Sequence, residues 1–285
     1  AHSISMTNGP QDTHIADLNG DGAPDVVAAS RDENALAWYE NTGDGGFADK
    51  RIISRDLAQA SGVTTADING DGNLDVLAVS STDDTVAWYA GDGQGGFGDQ
   101  RVIATTGLGP QDVRAADVNN DGATDVVTAS FYDDTVAWYE NDGAGNFGAR
   151  QVISTDLAGP KAVTPADINS DGAPDVVATA KMNGTTAWFA NDGTGDFGPA
   201  QTVATDRKAH LVDHLEAADL DSDGDLDLFF GHDGGLAWFE NTDGADAIVD
   251  ERGRSTVEIV VGADGNNGAF AYAPVAVRVD PGTEV

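Results

Sequence analysis

The sequence predicts an all-β protein, a five-bladed β-propeller with four-stranded blades that is followed by a short C-terminal β segment. Three observations lead to this prediction. All five tryptophans of the 285-residue chain recur at intervals of 50 residues. An acidic nine-residue loop precedes each tryptophan. Each repeat also contains four short β-prone runs with turn residues between them, and four strands in about 40–50 residues are typical of a propeller blade.

The tryptophans lie in Ala-Trp-Tyr or Ala-Trp-Phe sequences, at Trp38, Trp88, Trp138, Trp188 and Trp238. The acidic loops start at Asp17, Asp67, Asp117, Asp167 and Asp219. The last interval between loops is 52 residues, so the fifth repeat has two more residues before its loop and two fewer after it. We expect the tryptophans, together with a phenylalanine in the glycine turn of each repeat, to fill the spaces between blades.

The third repeat illustrates the predicted strands. Val113–Ala116 leads into the acidic loop, Val126–Ser130 is a continuous β-prone run, and Thr135–Glu140 alternates with aromatic residues. A glycine turn and the run Arg150–Ser154 complete the repeat. No segment has the 3.6-residue apolar spacing and the caps of an amphipathic helix.

The predicted propeller spans residues 1–247, and residues 248–285 form a linker and a C-terminal β segment. Ser3-Ile4-Ser5, followed by Gly9-Pro10, resembles the end of the third repeat, Val152–Ser154 followed by Gly159-Pro160. We therefore expect an N-terminal strand to close the fifth blade from outside, which would cover an open sheet edge. The alternative is that the chain is a piece of a longer propeller.

The composition excludes several classes of function. Asp and Glu number 49 against 14 Lys and Arg, which gives a net charge of −35. Phosphate contacts need Lys and Arg, so we expect no nucleic-acid partner and no docking on anionic lipid. No apolar run is long enough to insert into a membrane, and the absence of cysteine removes disulfides and thiolate chemistry. The acidic surface is typical of a halophile, and a subset of the acids is a candidate for cation binding.

The acidic loops share the pattern D-x-[DN]-x-D-G-x-x-D, which predicts metal sites. Oxygen atoms at positions one, three and five converge when such a loop wraps around a cation, and the glycine at position six permits the sharp turn. A backbone carbonyl at position seven and a carboxylate at position nine complete an all-oxygen shell that suits Ca²⁺. The candidate ligands are Asp17, Asn19, Asp21, Ala23 and Asp25; Asp67, Asn69, Asp71, Asn73 and Asp75; Asp117, Asn119, Asp121, Ala123 and Asp125; Asp167, Asn169, Asp171, Ala173 and Asp175; and Asp219, Asp221, Asp223, Asp225 and Asp227.

We therefore expect about five Ca²⁺ ions, one in each repeat. The alternative is a set of Asp-Gly hairpin turns with free carboxylates. Five matches in the same register, each with three or four carboxylates that would repel one another without a cation, favour metal binding. These loops differ from an EF-hand, whose last acidic ligand is at position 12 between helices.

The acidic loop, the Ala-Trp-Tyr sequence and the turns Gly45-Gly46-Phe47 and Gly95-Gly96-Phe97 together resemble the FG-GAP/VCBS repeat. The resemblance covers about residues 1–247. It implies a Ca²⁺-stabilised propeller like those of integrin α-chains and of secreted bacterial and archaeal surface proteins. In that family the cations are mostly structural, and loops on a propeller face bind glycans or proteins.

The C-terminal segment 255–285 resembles the opening of a haloarchaeal halocyanin, a plastocyanin-like copper domain. Phe270–Pro274 and Val279–Thr283 carry the resemblance. It lies before the region in which that family has its copper-binding His, Cys and Met, so we expect no copper. The alternative is a short β extension that packs on the propeller.

Signals of catalysis are weak, and we expect no enzyme. Glycine patterns such as Gly91-x-Gly93-x-x-Gly96 match the dinucleotide fingerprint but open no helix, so we interpret them as blade turns. His210-x-x-x-His214 lacks the glutamate of a zinc-protease helix. The loops before each first strand differ among repeats and gather near the predicted axis, where they are candidates for a ligand site.

The leading hypothesis is an extracellular or cell-surface calcium-binding propeller that acts as a structural or interaction module in a halophile. Its partner would be a protein or a glycan on a propeller face. Three alternatives stay open: a lectin-like carbohydrate binder, an accessory part of a copper electron-transfer protein, and a filament subunit that self-associates through its C-terminal strands.

Overall fold

The computed structural model describes residues 9–205, 214–232, 235–241 and 258–259, which form 20 β-strands in five four-stranded sheets. The first sheet contains β1 (Pro10–Ala16), β2 (Asp25–Ser30), β3 (Ala35–Tyr39) and β4 (Arg51–Ser54). The second contains β5 (Ala60–Ala66), β6 (Asp75–Ser80), β7 (Thr85–Tyr89) and β8 (Arg101–Ala104). The third contains β9 (Pro110–Ala116), β10 (Asp125–Ser130), β11 (Thr135–Tyr139) and β12 (Gln151–Ser154). The fourth contains β13 (Pro160–Ala166), β14 (Asp175–Ala180), β15 (Thr185–Phe189) and β16 (Gln201–Thr205). The fifth contains β17 (Leu215–Ala218), β18 (Asp227–His232), β19 (Gly235–Phe239) and β20 (Glu258–Ile259).

Every sheet is an antiparallel meander in which the strands are neighbours in chain order. In the first four sheets the second strand is buried along its whole length, as in the Val-rich run of β10. A strand reads as continuously apolar when both faces of its sheet are covered, so this burial explains the absence of strict alternation. The all-β prediction of four-stranded blades is confirmed. The part of the chain that the structure describes contains no candidate membrane-spanning helix.

The predicted role of the tryptophans and glycine turns between sheets is confirmed. Trp38, only 1% exposed, packs edge-to-face on Phe97 of the second sheet, with 6.5 Å between the ring centroids. A Cβ atom on Gly95 would collide with the same indole ring, so this turn approaches the tryptophan as closely as a glycine allows. Trp88 and Trp138 contact the turns of the third and fourth sheets in the same way.

The first strand of each sheet lies innermost, and side-chain hydrogen bonds join it to the first strand of the next sheet. A carboxylate of the first and third sheets accepts a backbone N–H, while a hydroxyl of the second and fourth donates to a backbone carbonyl. The pairs are Asp12 Oδ2 with Val63 N (2.9 Å), Ser61 Oγ with Pro110 O (2.8 Å), Asp112 Oδ2 with Val163 N (2.9 Å) and Thr164 Oγ1 with Leu215 O (2.6 Å). Residues from all five innermost strands, or directly before them, line one cavity of about 660 Å³. This shared cavity is the geometry expected of sheets arranged around an axis.

The fifth sheet differs from the prediction in its outer strand. The expected N-terminal strand, Ser3–Ser5, lies outside the described residues, and the strand that pairs with β19 is Glu258–Ile259 of the C-terminal segment. This pairing occupies the edge that we had assigned to the N-terminus. In the first sheet, Ile15 is 66% and Phe47 is 38% exposed. The halocyanin-like stretches 270–274 and 279–283 lie outside the described residues.

Candidate metal centres

Each acidic loop connects the first strand of a sheet to the second, and its ninth residue is the first residue of that second strand. The backbone has positive φ at the fourth and sixth positions. In the first loop these are Gly20 (φ 73°) and Gly22 (φ 85°). The sixth position is glycine in every loop, whereas Asn120, Ser170 and Ser222 hold the fourth position of the last three at φ 56–68°. Two left-handed residues so close together curl the chain around the carboxylates.

The first loop shows how its side chains are oriented. Asp17 accepts backbone hydrogen bonds from Gly20 and Asp21 on Oδ1 (2.8 and 3.1 Å) and from Gly22 on Oδ2 (2.8 Å). Asn19 Oδ1 accepts from Asp21 N (3.1 Å), and Asp21 Oδ1 accepts from Ala23 N (2.8 Å). The first, third and fifth side chains therefore all turn back over the loop. The other loops repeat this arrangement with small differences.

The ninth-position aspartates are fully buried, with 0% exposure at Asp25, Asp75, Asp125, Asp175 and Asp227. In each, Oδ2 accepts the backbone N–H of the loop's second residue, and Oδ1 accepts that of the residue two places after the third strand. Burial raises the pKa of Asp125 and of Asp175 to about 6, against backbone hydrogen bonds that lower it, and the other loop carboxylates raise it further. Burial also raises the pKa of Asp25 and of Asp75. A carboxylate in this position is poorly solvated, which favours a nearby positive charge.

The fifth loop brings its carboxylates closest together. Asp219, Asp221 and Asp227 each offer an oxygen atom within 4.8 Å of the others. Burial and the nearby acids Asp223 and Asp227 raise the pKa of Asp221. In the first four loops an asparagine occupies the third position, and its amide donates to the fifth-position carboxylate, as from Asn119 to Asp121 (3.0 Å).

Hydrogen bonds turn the side chains of positions one, three and five over each loop. Among the described residues, three carboxylates come within 4.8 Å of one another only in the fifth loop, at positions one, three and nine. At position seven the predicted ligand is the backbone carbonyl, so the side chain there has no predicted role. The residues at this position are Ala23, Asn73, Ala123, Ala173 and Asp225, and their backbone N–H groups donate to the fifth-position carboxylates. Ligation of a metal ion by any of these residues stays a prediction.

One set of residues escaped the sequence analysis, an asparagine two places after the third strand. Asn141 Nδ2 donates to Ile68 O in the acidic loop of the preceding sheet (2.8 Å) and to Thr124 O in its own loop (2.9 Å). Asn191 and Asn241 join the later sheets in the same way. The signal was visible in the sequence, because asparagine follows the aromatic pair at the same distance in four of the five repeats.

The weaker motifs have simple places in the structure. His214 Nε2 lies 3.0 Å from Glu216 Oε1, and this hydrogen bond raises the pKa of His214 and lowers that of Glu216. The other half of the histidine motif, His210, lies outside the described residues. Gly91-x-Gly93-x-x-Gly96 forms a tight turn closed by a bridge between Gly91 and Phe97, as we expected.

The FG-GAP-like repeat family matches this chain four times in succession, at residues 17–78, 67–128, 117–178 and 169–230. Each match begins at or near the start of one acidic loop and ends in the second strand of the following sheet. The matches cover most of the chain, so the protein belongs to the FG-GAP repeat family and is an FG-GAP repeat β-propeller. No curated protein matches the chain in sequence.

Several solved structures share the fold. A lectin of Agrocybe aegerita that recognises non-reducing terminal N-acetylglucosamine has a TM-score of 0.59 at 20% identity, over 84% of this chain and 66% of the lectin. Virginiamycin B lyase of Staphylococcus aureus has a TM-score of 0.58 at 11% identity, over 91% of this chain and 72% of the lyase. An auxiliary nutrient-binding protein of Bacteroides ovatus has a TM-score of 0.55 at 11% identity, over 83% of this chain and 56% of that protein. At these identities the likeness concerns the fold alone.

Proposed function

We propose that this protein is a calcium-binding propeller that acts as a non-catalytic interaction module at the surface of a halophilic cell. The observation that carries the calcium proposal is the repeated juxtaposition of a fully buried aspartate with the carboxylates of its own loop. It is most compact at Asp219, Asp221 and Asp227.

A divalent cation would resolve the electrostatic cost of this arrangement. The raised pKa of Asp125 means that the charged form of its carboxyl group is less stable in this buried position than it would be in water, although two backbone N–H groups stabilise it. A cation beside Asp125, Asp117 and Asp121 would favour the charged form of all three. The donors are all oxygen atoms, which suits Ca²⁺ better than the softer transition metals.

The net charge of the protein and its proposed calcium sites both favour a location outside the cell. Extracellular modules accept calcium sites with dissociation constants of about 10⁻⁴–10⁻³ M, because calcium is abundant outside cells. Five calcium ions would offset ten of the 35 net negative charges. The remainder fits a protein that works in high salt, where screening weakens self-repulsion. We therefore place it outside the cell.

A binding role is favoured over catalysis by the family to which the chain belongs. The repeated loops are structural in character, since each joins two strands of one sheet. The partner would be a glycan or a protein that contacts a propeller face. The fold shared with the Agrocybe aegerita lectin makes a lectin-like role the second candidate, and a glycan array tests it.

Thermal unfolding in calcium and in chelator tests the calcium proposal. Binding at 100 times the dissociation constant stabilises the folded state by about 2.7 kcal/mol for each site, so chelation should lower the Tm sharply. Titration calorimetry should give about five ions per chain if every loop binds one. An equal Tm under both conditions would reject structural calcium.

A pair of single substitutions locates the effect. Asp121→Asn keeps an oxygen that can accept the hydrogen bond of Ala123 N but removes one charge from the third loop. Asp99→Asn removes the same charge from an exposed position outside the loops. We expect calcium to stabilise Asp121→Asn less than the wild type and Asp99→Asn to the same extent. Equal stabilisation of both variants would show that the loops are not the sites.

A further inference from the structure

The axial cavity is a candidate ligand site beside the acidic loops, of which only the third contributes a lining residue, Thr124. It measures about 660 Å³ and is lined from all five sheets. Small-molecule sites in proteins usually measure about 300–1,000 Å³, so this volume suits a ligand of one or two sugar rings.

The lining departs from the repeat at one position. The residue three places before each acidic loop lines the cavity in every sheet, and it carries hydroxyl, imidazole, guanidinium or carboxylate groups. These residues are His14, Thr64, Arg114, Thr164 and Glu216. The tryptophans, glycine turns and acidic loops are nearly identical among sheets, whereas this ring offers a different set of groups on each side. Such a ring can orient one asymmetric ligand.

The charges of the ring already have partners within the protein. Arg114 Nη1 lies 2.6 Å from Asp112 Oδ1 and 3.9 Å from Asp12 Oδ2. Glu216 is paired with His214. A charged ligand would have to compete with these pairs, and the strongly acidic protein would repel an anion. An uncharged ligand avoids both penalties.

Hydrogen-bonding capacity nevertheless remains around the cavity. Among the described residues, Nε and Nη2 of Arg114 and Oε2 of Glu216 make no hydrogen bond. Burial lowers the pKa of His14, which keeps its imidazole neutral, with one donor and one acceptor. Apolar side chains such as Val63 and Pro165 line the cavity between these groups. A ligand that matches this wall has hydroxyls that both donate and accept, together with apolar C–H faces.

We propose that the axial cavity binds a neutral polyhydroxylated ligand of one or two sugar rings, which is held by Arg114, Glu216, His14 and Thr64. This proposal rests on the lectin-like second candidate, whose site it names, and does not depend on whether the acidic loops hold metal. It assigns the cavity a ligand by the match between unpaired donors and acceptors and the hydroxyls of a sugar.

Saturation-transfer NMR and calorimetry on the full chain in high-salt buffer test the proposal. The probes are glucose, galactose, N-acetylglucosamine and their disaccharides, with glucuronate and glucosamine as charged comparisons. We expect at least one neutral sugar to bind at one site per chain and more tightly than the charged probes. No binding by any neutral probe, or tighter binding of a charged one, would overturn the proposal.

Two conservative substitutions link binding to the cavity. Glu216→Gln and Thr64→Val keep the shape of the wall and should weaken sugar binding about 10-fold to 100-fold and about 10-fold, respectively, as expected when one hydrogen bond is lost. The matched controls are Glu40→Gln, directly after β3 and 2.6 Å from Arg51, and Thr82→Val, in an exposed turn. Affinity that is unchanged in both cavity variants would place the sugar elsewhere and refute the site.

Discussion

The asparagine between neighbouring sheets gives the sharpest test of what holds the sheets together. Asn141 is fully buried, and its side chain makes three hydrogen bonds. Its Nδ2 donates to Ile68 O in the second sheet and to Thr124 O in its own loop, and its Oδ1 accepts from Gly145 N (3.1 Å). Asn141→Ala removes all three bonds and leaves each backbone group without its partner.

The expected cost follows from this count. A typical intramolecular hydrogen bond contributes about 1 kcal/mol, and a buried polar group that loses its partner costs about 1–3 kcal/mol. Three bonds at the lower value give a loss of about 3 kcal/mol. Asn41 is the matched control, because it donates to Pro24 O (3.0 Å) and accepts from Gly43 N (3.0 Å) within its own sheet. Asn41 is also only partly buried, so Asn41→Ala should cost about 1–2 kcal/mol.

Urea unfolding followed by tryptophan fluorescence measures both variants, with calcium held at one concentration. We expect the midpoint of Asn141→Ala to fall by clearly more than that of Asn41→Ala. The difference isolates the bond to the preceding sheet and the deeper burial of Asn141. If the two variants lose the same stability, the link between sheets contributes nothing, and the reasoning from Ile68 O is wrong.

Two further predictions concern a turn and an ion pair. Gly95→Ala should destabilise the fold by about 2 kcal/mol more than Gly45→Ala in the same unfolding assay, because both glycines have positive φ but only at Gly95 would a Cβ collide with a tryptophan ring. In an NMR titration the pKa of His214 should lie above 6.5 and fall in Glu216→Gln, which removes the carboxylate. By linkage, the His214 contribution to stability is complete below pH 6.5 and is lost as the pH rises through its raised pKa. The Glu216 contribution is present above pH 4.5 and is lost as the pH falls through its lowered pKa. A His214 pKa that is equal in both proteins would contradict the pairing.

The sequence was sufficient to predict most of the fold because the repeat is nearly exact. Strand positions in the third sheet follow from Val126–Ser130 and its neighbours, and the structure extends β9 by only three residues, back to Pro110. The loops were predictable for the same reason, since Asp, Gly and Asp at fixed spacing admit few backbone conformations. Each local pattern is weak by itself, but the same pattern occurs in five repeats, and each occurrence supports the others.

The features that escaped prediction depend on contacts between distant residues. The bond from Asn141 to Ile68 O joins residues 73 positions apart, and no local pattern indicates where that amide points. The outer strand of the fifth sheet was also assigned by analogy with the repeat. The structure instead pairs β19 with Glu258–Ile259, because the edge of a sheet accepts any extended segment that reaches it.

The second repeat shows why the deviations carry more information than the consensus. Gly91 stands there in place of the asparagine. A Cβ at this position would collide with Leu74 O, so Gly91→Asn would clash with the backbone. The acidic loop of the first sheet consequently receives no amide from the second sheet, unlike the next three loops, whose carbonyls are bonded by Asn141, Asn191 and Asn241. The first sheet is also the one with exposed Ile15. Because fewer bonds tie its loop to a neighbour, a metal ion in that loop would stabilise one sheet, whereas an ion in the later loops would also stabilise the contact with the following sheet.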